Sequence, residues 1–423
     1  MIVGLLDVHS MYANCEVVFR PDLRINNSAV AVASNGDGVI VACNRAAKRL
    51  GVKKFKSVVE QRHFFDTGRC TLFSSNYQLY DSMSKRLVEC IRSENLLTRI
   101  EQYSIDEVFC QLPEFLNSYE DQLAVARQLR RTVWDHTRLP IGAGISTTFT
   151  LSKCASYIGK NVSGYRGICV INEESRNQLL SSVPVSEVWN VGRSKTLFLK
   201  RNGINTALDL SRVSTSKAND WFGITLERTV RELNNEVVYD FNSFPTIEGR
   251  KEISSSISLT VRATSEASLH QSLSERISIA TEKLRAQGLT ARQMIVFAQS
   301  SRFETSPKSF SANLLFEYPS DDTRVFLKGL SDSMGELYRE HVDYYKIGCR
   351  LLGLEQTKHQ QGDLFAPPAA PKLMSTVDGL NRRFGSRMIT LGALKVENES
   401  GMLRKHLSPA YLTNWKDLPK IKC

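Results

Sequence analysis

The sequence predicts an α+β protein of several domains, and three observations carry that prediction. A length of 423 residues allows about three domains. Residues 251–352 alternate in the order βαββαβ, the pattern of a split-βαβ unit. From Val188 onward the texture changes to short helices separated by glycine turns.

The elements follow from periodicity and punctuation. Met1 to Val8 is an apolar run that reads as a buried strand with Asp7 at its C-terminal end. Ala29–Ala33 and Val39–Cys43 are strand-like, and the turn-rich SNGDG at 34–38 makes them a hairpin. Arg45–Leu50 reads as a short helix stopped by Gly51, and Tyr77–Arg92 and Asp121–His136 as longer ones. Ile100–Leu112 reads as two strand segments around Ser104–Glu107, and Pro140–Ser146 as a further strand. In the βαββαβ unit, Ser268–Gln287 carries Leu269, Leu273, Ile277, Ala280 and Leu284 on one face and is stopped by Gly288. QQGDLFAPPAAPK then reads as a linker. Residues 376–423 carry nine Lys+Arg against four Asp+Glu.

Composition narrows the function. Lys+Arg 55 against Asp+Glu 44 gives a net charge of +11, which points to a polyanion partner, nucleic acid before membrane. No apolar run approaches the roughly 20 residues that span a bilayer, and MIVGLLDVHS lacks the basic start of a signal peptide. The nine cysteines form no CxxC, which fits reduced, buried thiols in a cytosolic protein. Asp7, Asp106 and Glu107 are candidate ligands for hard cations, because phosphoryl-transfer sites need convergent carboxylates. Successive strand residues face opposite ways, so Asp106 and Glu107 share a site only if the chain turns there. A plain polar hairpin turn is an equal reading of the same two residues.

Four strings stand in order: LLDVHSMYANCE (5–16), FSSNYQLYDSMS (73–84), YSIDEVF (103–109) and GISTTFTLSKCAS (144–156). Together they resemble the Y-family translesion DNA polymerases. The resemblance extends through VWNVG (188–192), LERTVRELNNE (226–236), EKLRAQ (282–287) and LSPAYLTNWKDL (407–418), and is closest to the catalytic subunits of the bacterial DNA polymerase V, or UmuC, type.

That resemblance implies a right-hand polymerase. Residues 1–10 and 77–165 would form a ferredoxin-like palm, 11–76 small fingers, and 166–237 a helical thumb with a helix-hairpin-helix. A linker would follow at 238–250, a βαββαβ little finger at 251–352, and a C-terminal clamp- and partner-binding tail at 353–423. Asp7, Asp106 and Glu107 would be catalytic and, with the Val8 carbonyl, would hold two Mg²⁺ ions. Met11, Tyr12, Arg45, Lys48 and Lys160 would bind the nucleotide, with Tyr12 beneath the sugar. Asn190, Gly192, Arg193 and Lys195 would bind DNA phosphates, with Asn190, which tolerates a left-handed backbone, standing where the motif usually has its first glycine. Gln361, Leu364 and Phe365 read as a sliding-clamp-binding peptide.

The implied function is error-prone, template-dependent translesion synthesis in an SOS-type response, by two-metal nucleotidyl transfer from dNTP to the primer 3′-OH. Implied partners are primer–template DNA, dNTPs, a UmuD′-type dimer, a RecA filament and the sliding clamp, with no membrane, in the bacterial cytoplasm at the nucleoid. Against the family pattern, Arg45 and Lys48 stand at the fingers triphosphate contact, His9 and Ser10 replace acidic or aromatic residues, and Phe149 stands where the subfamily has lysine. A stand-alone polymerase IV type is the alternative within the class. A DNA-binding regulatory or scaffold protein on a decayed polymerase fold is the alternative outside it. For the basic tail, partner binding and a solvated tail remain equal readings.

Overall fold

The computed structural model describes residues 1–243, 251–357, 371–384, 388–391, 404–412 and 414–418. The chain divides into two compact units, residues 1–244 with 404–423, and residues 245–403.

The first unit is built on β1 (Ile2–Val8), whose apolar residues are almost all buried. After β1 comes the helix Met11–Val18, then β2 (Val30–Ala33), β3 (Ile40–Cys43) and β4 (Thr71–Ser74), which form a separate small sheet in the order β3-β2-β4. The expected hairpin joins β2 to β3. Asn44 caps the helix Arg45–Leu50 by accepting from the Ala47 N–H at 2.9 Å, and Gly51 ends it at φ +105°.

The chain then returns through the helix Tyr77–Ser93 to β5 (Arg99–Gln102), β6 (Glu107–Leu112), the helix Tyr119–Thr137, β7 (Ile141–Ser146), the helix Phe149–Asn161 and β8 (Ile168–Val170). These strands join β1 in a sheet of order β5-β6-β1-β7-β8. β1 lies between β6 and β7, antiparallel to both, so both its edges are paired. A central strand of this kind reads as a continuous apolar run. The helix Phe149–Asn161 lies against β7 at Gly144, where a Cβ would fall 2.2 Å from the Ser156 nitrogen.

The sheet takes in Ile168–Val170, beyond the palm limit of 165 expected from the sequence. β8 pairs in parallel with β7, Ala143 opposite Ile168 and Ile145 opposite Val170. Three residues are too short a run to announce a strand.

Short helices follow at Glu173–Ser181, Arg193–Arg201, Ala207–Ser211, Thr215–Phe222 and Ile224–Leu233. They bury Leu180, Leu199, Leu210, Leu226 and Val230 against Leu151, Cys154 and Ile158 of the helix Phe149–Asn161. A buried carboxylate fastens them further. Glu232 Oε2 accepts from the Thr150 N–H at 2.9 Å and the Thr150 hydroxyl at 2.6 Å, and Oε1 accepts from the Tyr239 N–H at 3.2 Å. Residues 238–243, read as linker, therefore belong partly to this core; Phe241 packs on Val3, Leu5, Phe109 and Phe149.

The second unit has the expected order: β9 (Glu252–Ala263), the helix Glu266–Ala286, β10 (Leu289–Gln299), β11 (Ser309–Ser320), the helix Thr323–Leu337 and β12 (Tyr344–Gln356). Its antiparallel sheet runs β11-β10-β12-β9, with the last strand between the first and second. The five helix positions singled out by spacing are fully buried against it.

The tail is not simply solvated. β12 continues past residue 352 to Gln356. The helix Pro371–Phe384 belongs to the second unit, where Asp378 takes a two-pronged ion pair from Arg285 at 2.7 and 2.9 Å and Met374 is buried. Residues 404–412 pack on the first unit instead, with Tyr411 in its main core. The clamp-type peptide Gln361, Leu364 and Phe365 lies outside the described residues. Among the described residues all eight cysteines are buried and unpaired, and no helix is long and apolar enough to cross a membrane.

Glu232→Ala should remove the carboxylate and leave two buried Thr150 donors unmet. The expected loss is about 3 kcal/mol, read as a lower urea midpoint by the fluorescence of Trp189 and Trp221. An unchanged midpoint would show that water replaces the carboxylate.

Candidate active site

The strand ends of the first unit bring three carboxylates to one corner. Asp7 pairs in register with Glu107 across β1 and β6. Asp106 lies in the turn before β6, and its carbonyl accepts from the Val8 N–H at 2.9 Å. The turn is tight: the Tyr103 and Ser104 N–H groups both donate to the Glu107 carbonyl, at 3.0 and 3.1 Å. The Ser104 hydroxyl donates to Asp106 Oδ1 at 2.6 Å and accepts from the N–H groups of Asp106 and Glu107. Residues 103–107 are thus a polar hairpin turn and a neighbour of Asp7 at once, so the two sequence readings describe one object.

Cations answer these charges. Lys160 forms an ion pair with Asp7, and Lys153 Nζ lies 2.8 and 3.0 Å from the two oxygens of Glu107. Burial raises the Asp7 pKa, Lys160 opposes that shift, and Glu107 and Asp106 add to it. Among the described residues, no three His, Cys, Asp or Glu side chains stand close enough together to hold a metal ion. The donor set itself is all oxygen at a buried strand end, the type that hard cations take. An ion there would compete with the two ammonium groups for Asp7 and Glu107.

The expected triphosphate residues share this corner. His9 has its imidazole pKa lowered to about 4, first by burial and then by Lys160, Arg130, Lys48 and Arg45. This half-buried ring thus feels four cations, three of them picked from the sequence. Tyr12 stacks on Tyr80 with ring centroids 4.5 Å apart, and meets Tyr77 edge-on at 5.6 Å. The Met11 side chain is buried in the core, and Cys15 Sγ lies 3.7 Å from its sulfur. Only its backbone remains available to a nucleotide.

Asn190 takes φ +67°, the left-handed conformation expected of it in place of glycine, and Gly192 caps the helix that carries Arg193 and Lys195. Burial lowers the Lys195 pKa, and its ammonium lies 5.7 Å from the Phe222 ring centre.

Residues 6–157 and 250–364 match the impB/mucB/samB family and its C-terminal domain, and residues 371–421 match a domain of unknown function. The chain is 36% identical to Protein MucB of Salmonella typhimurium over 98% of each chain. It is 34% identical to Protein UmuC of Salmonella typhimurium, covering 99% of this chain and all of that one. The chain belongs to the impB/mucB/samB family. Its fold is that of the Y-family DNA polymerases. A Y-family DNA polymerase chimera of Dbh and Dpo4 superposes with a TM-score of 0.69 at 17% identity, over 84% of this chain and all of that one. The insertion ternary complex of Dbh DNA polymerase gives 0.55, over 83% and 98%. By sequence the chain is of the UmuC/MucB/SamB type, on the fold of the Y-family DNA polymerases.

Within this family member, two features escaped the sequence reading. The first is Lys153, two helical turns before Lys160 and so on the same face. Its ammonium also lies 4.6 Å from the Tyr103 ring centre and 5.8 Å from that of Trp189. Trp189 of the VWNVG string donates to the Tyr103 hydroxyl at 3.1 Å, tying the helical region to the carboxylate turn. Phe149, one turn before Lys153, is fully buried among Val3, Leu5, Phe109 and Phe241. The ammonium beside Glu107 comes from Lys153 instead.

The second feature is the seat of the C-terminal segment. The Tyr80 hydroxyl donates to Glu16 Oε1 at 2.7 Å, while the buried Glu16 Oε2 has no hydrogen-bond partner. Asn76 Nδ2 donates to Ser408 Oγ at 3.0 Å, and the Ser74 N–H donates to the His406 carbonyl at 2.9 Å. Tyr411 stacks on Phe19 with centroids 4.9 Å apart. LSPAY therefore docks directly behind the Tyr12–Tyr80 stack. Only the spacing of side chains in space reveals this, because more than 300 residues of chain separate the partners.

Burial pushes the Glu16 pKa up to about 7 from an ordinary 4.5. Between those values the folded chain keeps a proton that the unfolded chain has lost, so stability falls as pH rises through that window. Glu16→Gln has no such proton. From about pH 5 to about pH 8 the wild type should lose about 2 to 3 kcal/mol relative to Glu16→Gln, by urea unfolding. A difference that stays flat with pH would remove Glu16 as a buried titrating group.

Proposed function

We propose that this chain is an error-prone, template-dependent DNA polymerase that extends primers past damaged bases in an SOS-type response. One observation carries the proposal: three carboxylates at the ends of β1 and β6 lie beside a cluster of cations sensed by His9. Asp7, Asp106, Glu107 and the Val8 carbonyl would hold two Mg²⁺ ions. When bound, those ions supply charge stabilisation for the attacking and leaving oxygens. The chain's own residues bind and orient. Lys160, Lys48 and Arg45 take the charge of the triphosphate, with Lys160 and Lys153 releasing Asp7 and Glu107. Tyr12, backed by Tyr80, leaves no room beneath the sugar for a 2′-OH. Asn190, Gly192, Arg193 and Lys195 hold duplex phosphates irrespective of sequence. Gln361, Leu364 and Phe365 would tether the chain to the sliding clamp. The tail would meet a UmuD′-type dimer and a RecA filament, in the bacterial cytoplasm at the nucleoid. The insertion ternary complex of the Dbh polymerase, a relative in fold, supports primer–template and nucleotide as the ligands.

One observation favours the rival reading of a decayed scaffold: Asp7 and Glu107 are each engaged by a lysine. Asp106→Ala separates the two. Nucleotide incorporation should fall by at least about a hundredfold, the scale of losing one electrostatic group from a preorganised site, while primer–template binding persists. A wild type that incorporates nothing, alone and with a UmuD′-type partner and RecA filament, would establish the scaffold.

Tyr12→Ala should open space beneath the sugar and raise use of rNTP relative to dNTP in single-nucleotide insertion. Unchanged discrimination would reduce Tyr12 to a packing residue.

A further inference from the structure

A second basic surface lies along the β8 edge of the first unit's large sheet. There the helix Tyr119–Thr137 and residues 164–168 enclose an open groove of about 1000 Å³. Arg127, Arg130, Arg131 and Arg166 line it, with Tyr119, Trp134 and Tyr165, and no Asp or Glu is in its wall. Among the described residues no carboxylate pairs with Arg127, Arg130 or Arg166, and Arg131 has only Asp135, at 3.7 Å. Three guanidinium groups so placed, with no counter-charge, favour an anionic occupant. Tyr119 and Trp134 are 45% and 41% exposed, so their ring faces are open to the groove's contents.

We propose that this groove binds single-stranded nucleic acid, with Arg127, Arg131 and Arg166 on its phosphates and Tyr119, Trp134 and Tyr165 stacked on its bases. Guanidinium forks suit phosphate oxygens. Exposed rings between them suit unpaired bases, whose faces a duplex keeps hidden. An acidic peptide would satisfy the arginines and leave the rings unused.

The groove also adjoins the carboxylate corner. Its wall includes Pro140 and Ile141; the Pro140 carbonyl accepts from the His9 N–H, and Ile141 pairs with Val8. Arg130 donates to the Arg166 carbonyl and lies against Gly167. Gly167 has φ +93°, and a Cβ there would stand 3.2 Å from Arg130 Nη1 and 3.6 Å from His9 Nε2. Glycine at 167 therefore lets one guanidinium sit between the groove and the corner. A strand in the groove would pass beside the nucleotide end of the site, on an edge that the thumb-side phosphate contacts do not use.

The test uses the full chain with its polymerase cleft first saturated by an unlabelled hairpin primer–template. A labelled oligothymidylate of about 12 nucleotides, within the span of such grooves, is then titrated by fluorescence anisotropy. The wild type should bind it. Arg127→Gln with Arg166→Gln should weaken binding at least about tenfold, and make the log–log salt slope shallower by about 1.4, from roughly 0.7 per phosphate contact. Trp134→Ala should weaken it about fivefold or more. Extension of the hairpin should stay at the wild-type rate in every variant. An iododeoxyuridine strand should crosslink to Tyr119, Trp134 or Tyr165. Four results would each overturn the proposal: no second strand bound by the wild type, equal binding by the variants, crosslinks confined to other regions, or a parallel loss of hairpin extension. Competition by free dTMP as strong as by the oligonucleotide would do so too, marking a mononucleotide pocket instead.

Discussion

Asp7 and Glu107 stand directly opposite each other on neighbouring strands. Like charges so placed repel, and burial at the strand end makes the repulsion costlier. Much of the first unit can be understood as the means of holding them there. β1 is fixed on both edges, so Asp7 cannot drift away from Glu107. The helix Phe149–Asn161 lies close enough to β7 to bring Lys153 and Lys160 to the two carboxylates, and Gly144 is what permits that approach. Remove the counter-charge, and the corner needs another cation or a proton.

The helical region is joined to this corner by an aromatic wall as well as by its own core. Trp189 meets Tyr103 at 5.9 Å between centroids, Tyr103 meets Phe109 at 5.4 Å, and Phe109 meets Phe149 at 4.9 Å. Phe149 then meets Phe241 at 5.0 Å. Edge-to-face contacts of this kind fix ring orientation beyond what area burial alone achieves. The carboxylate turn, which begins at Tyr103, is thereby held from the side of the helical region. Lys153 sits over the same rings, so its position answers to both the charge of Glu107 and the faces of Tyr103 and Trp189.

On the opposite flank the C-terminal segment plays a comparable part. Ser408, Tyr411 and His406 close over Glu16, Phe19 and Ser74. The buried Tyr80 hydroxyl finds its acceptor in Glu16, and the Tyr80 face carries Tyr12. A tail expected to serve partners thus also completes the core of the first unit.

The sequence alone was enough for the element order of the second unit, the five buried positions of the helix Glu266–Ala286, the hairpin at 34–38, the left-handed Asn190 and Asp7 at its strand end. Each depends on local periodicity or on the backbone preference of a single residue, and both are written in neighbouring positions. The family was likewise legible in ordered strings. Only the tertiary structure decided that Lys153 answers Glu107, that Met11 turns into the core, that Ile168–Val170 joins the sheet, and that LSPAY seats behind Tyr12. Those outcomes depend on which distant surfaces meet. Close packing and the need to pair buried charges select them, and neither has a signature in any short window of sequence.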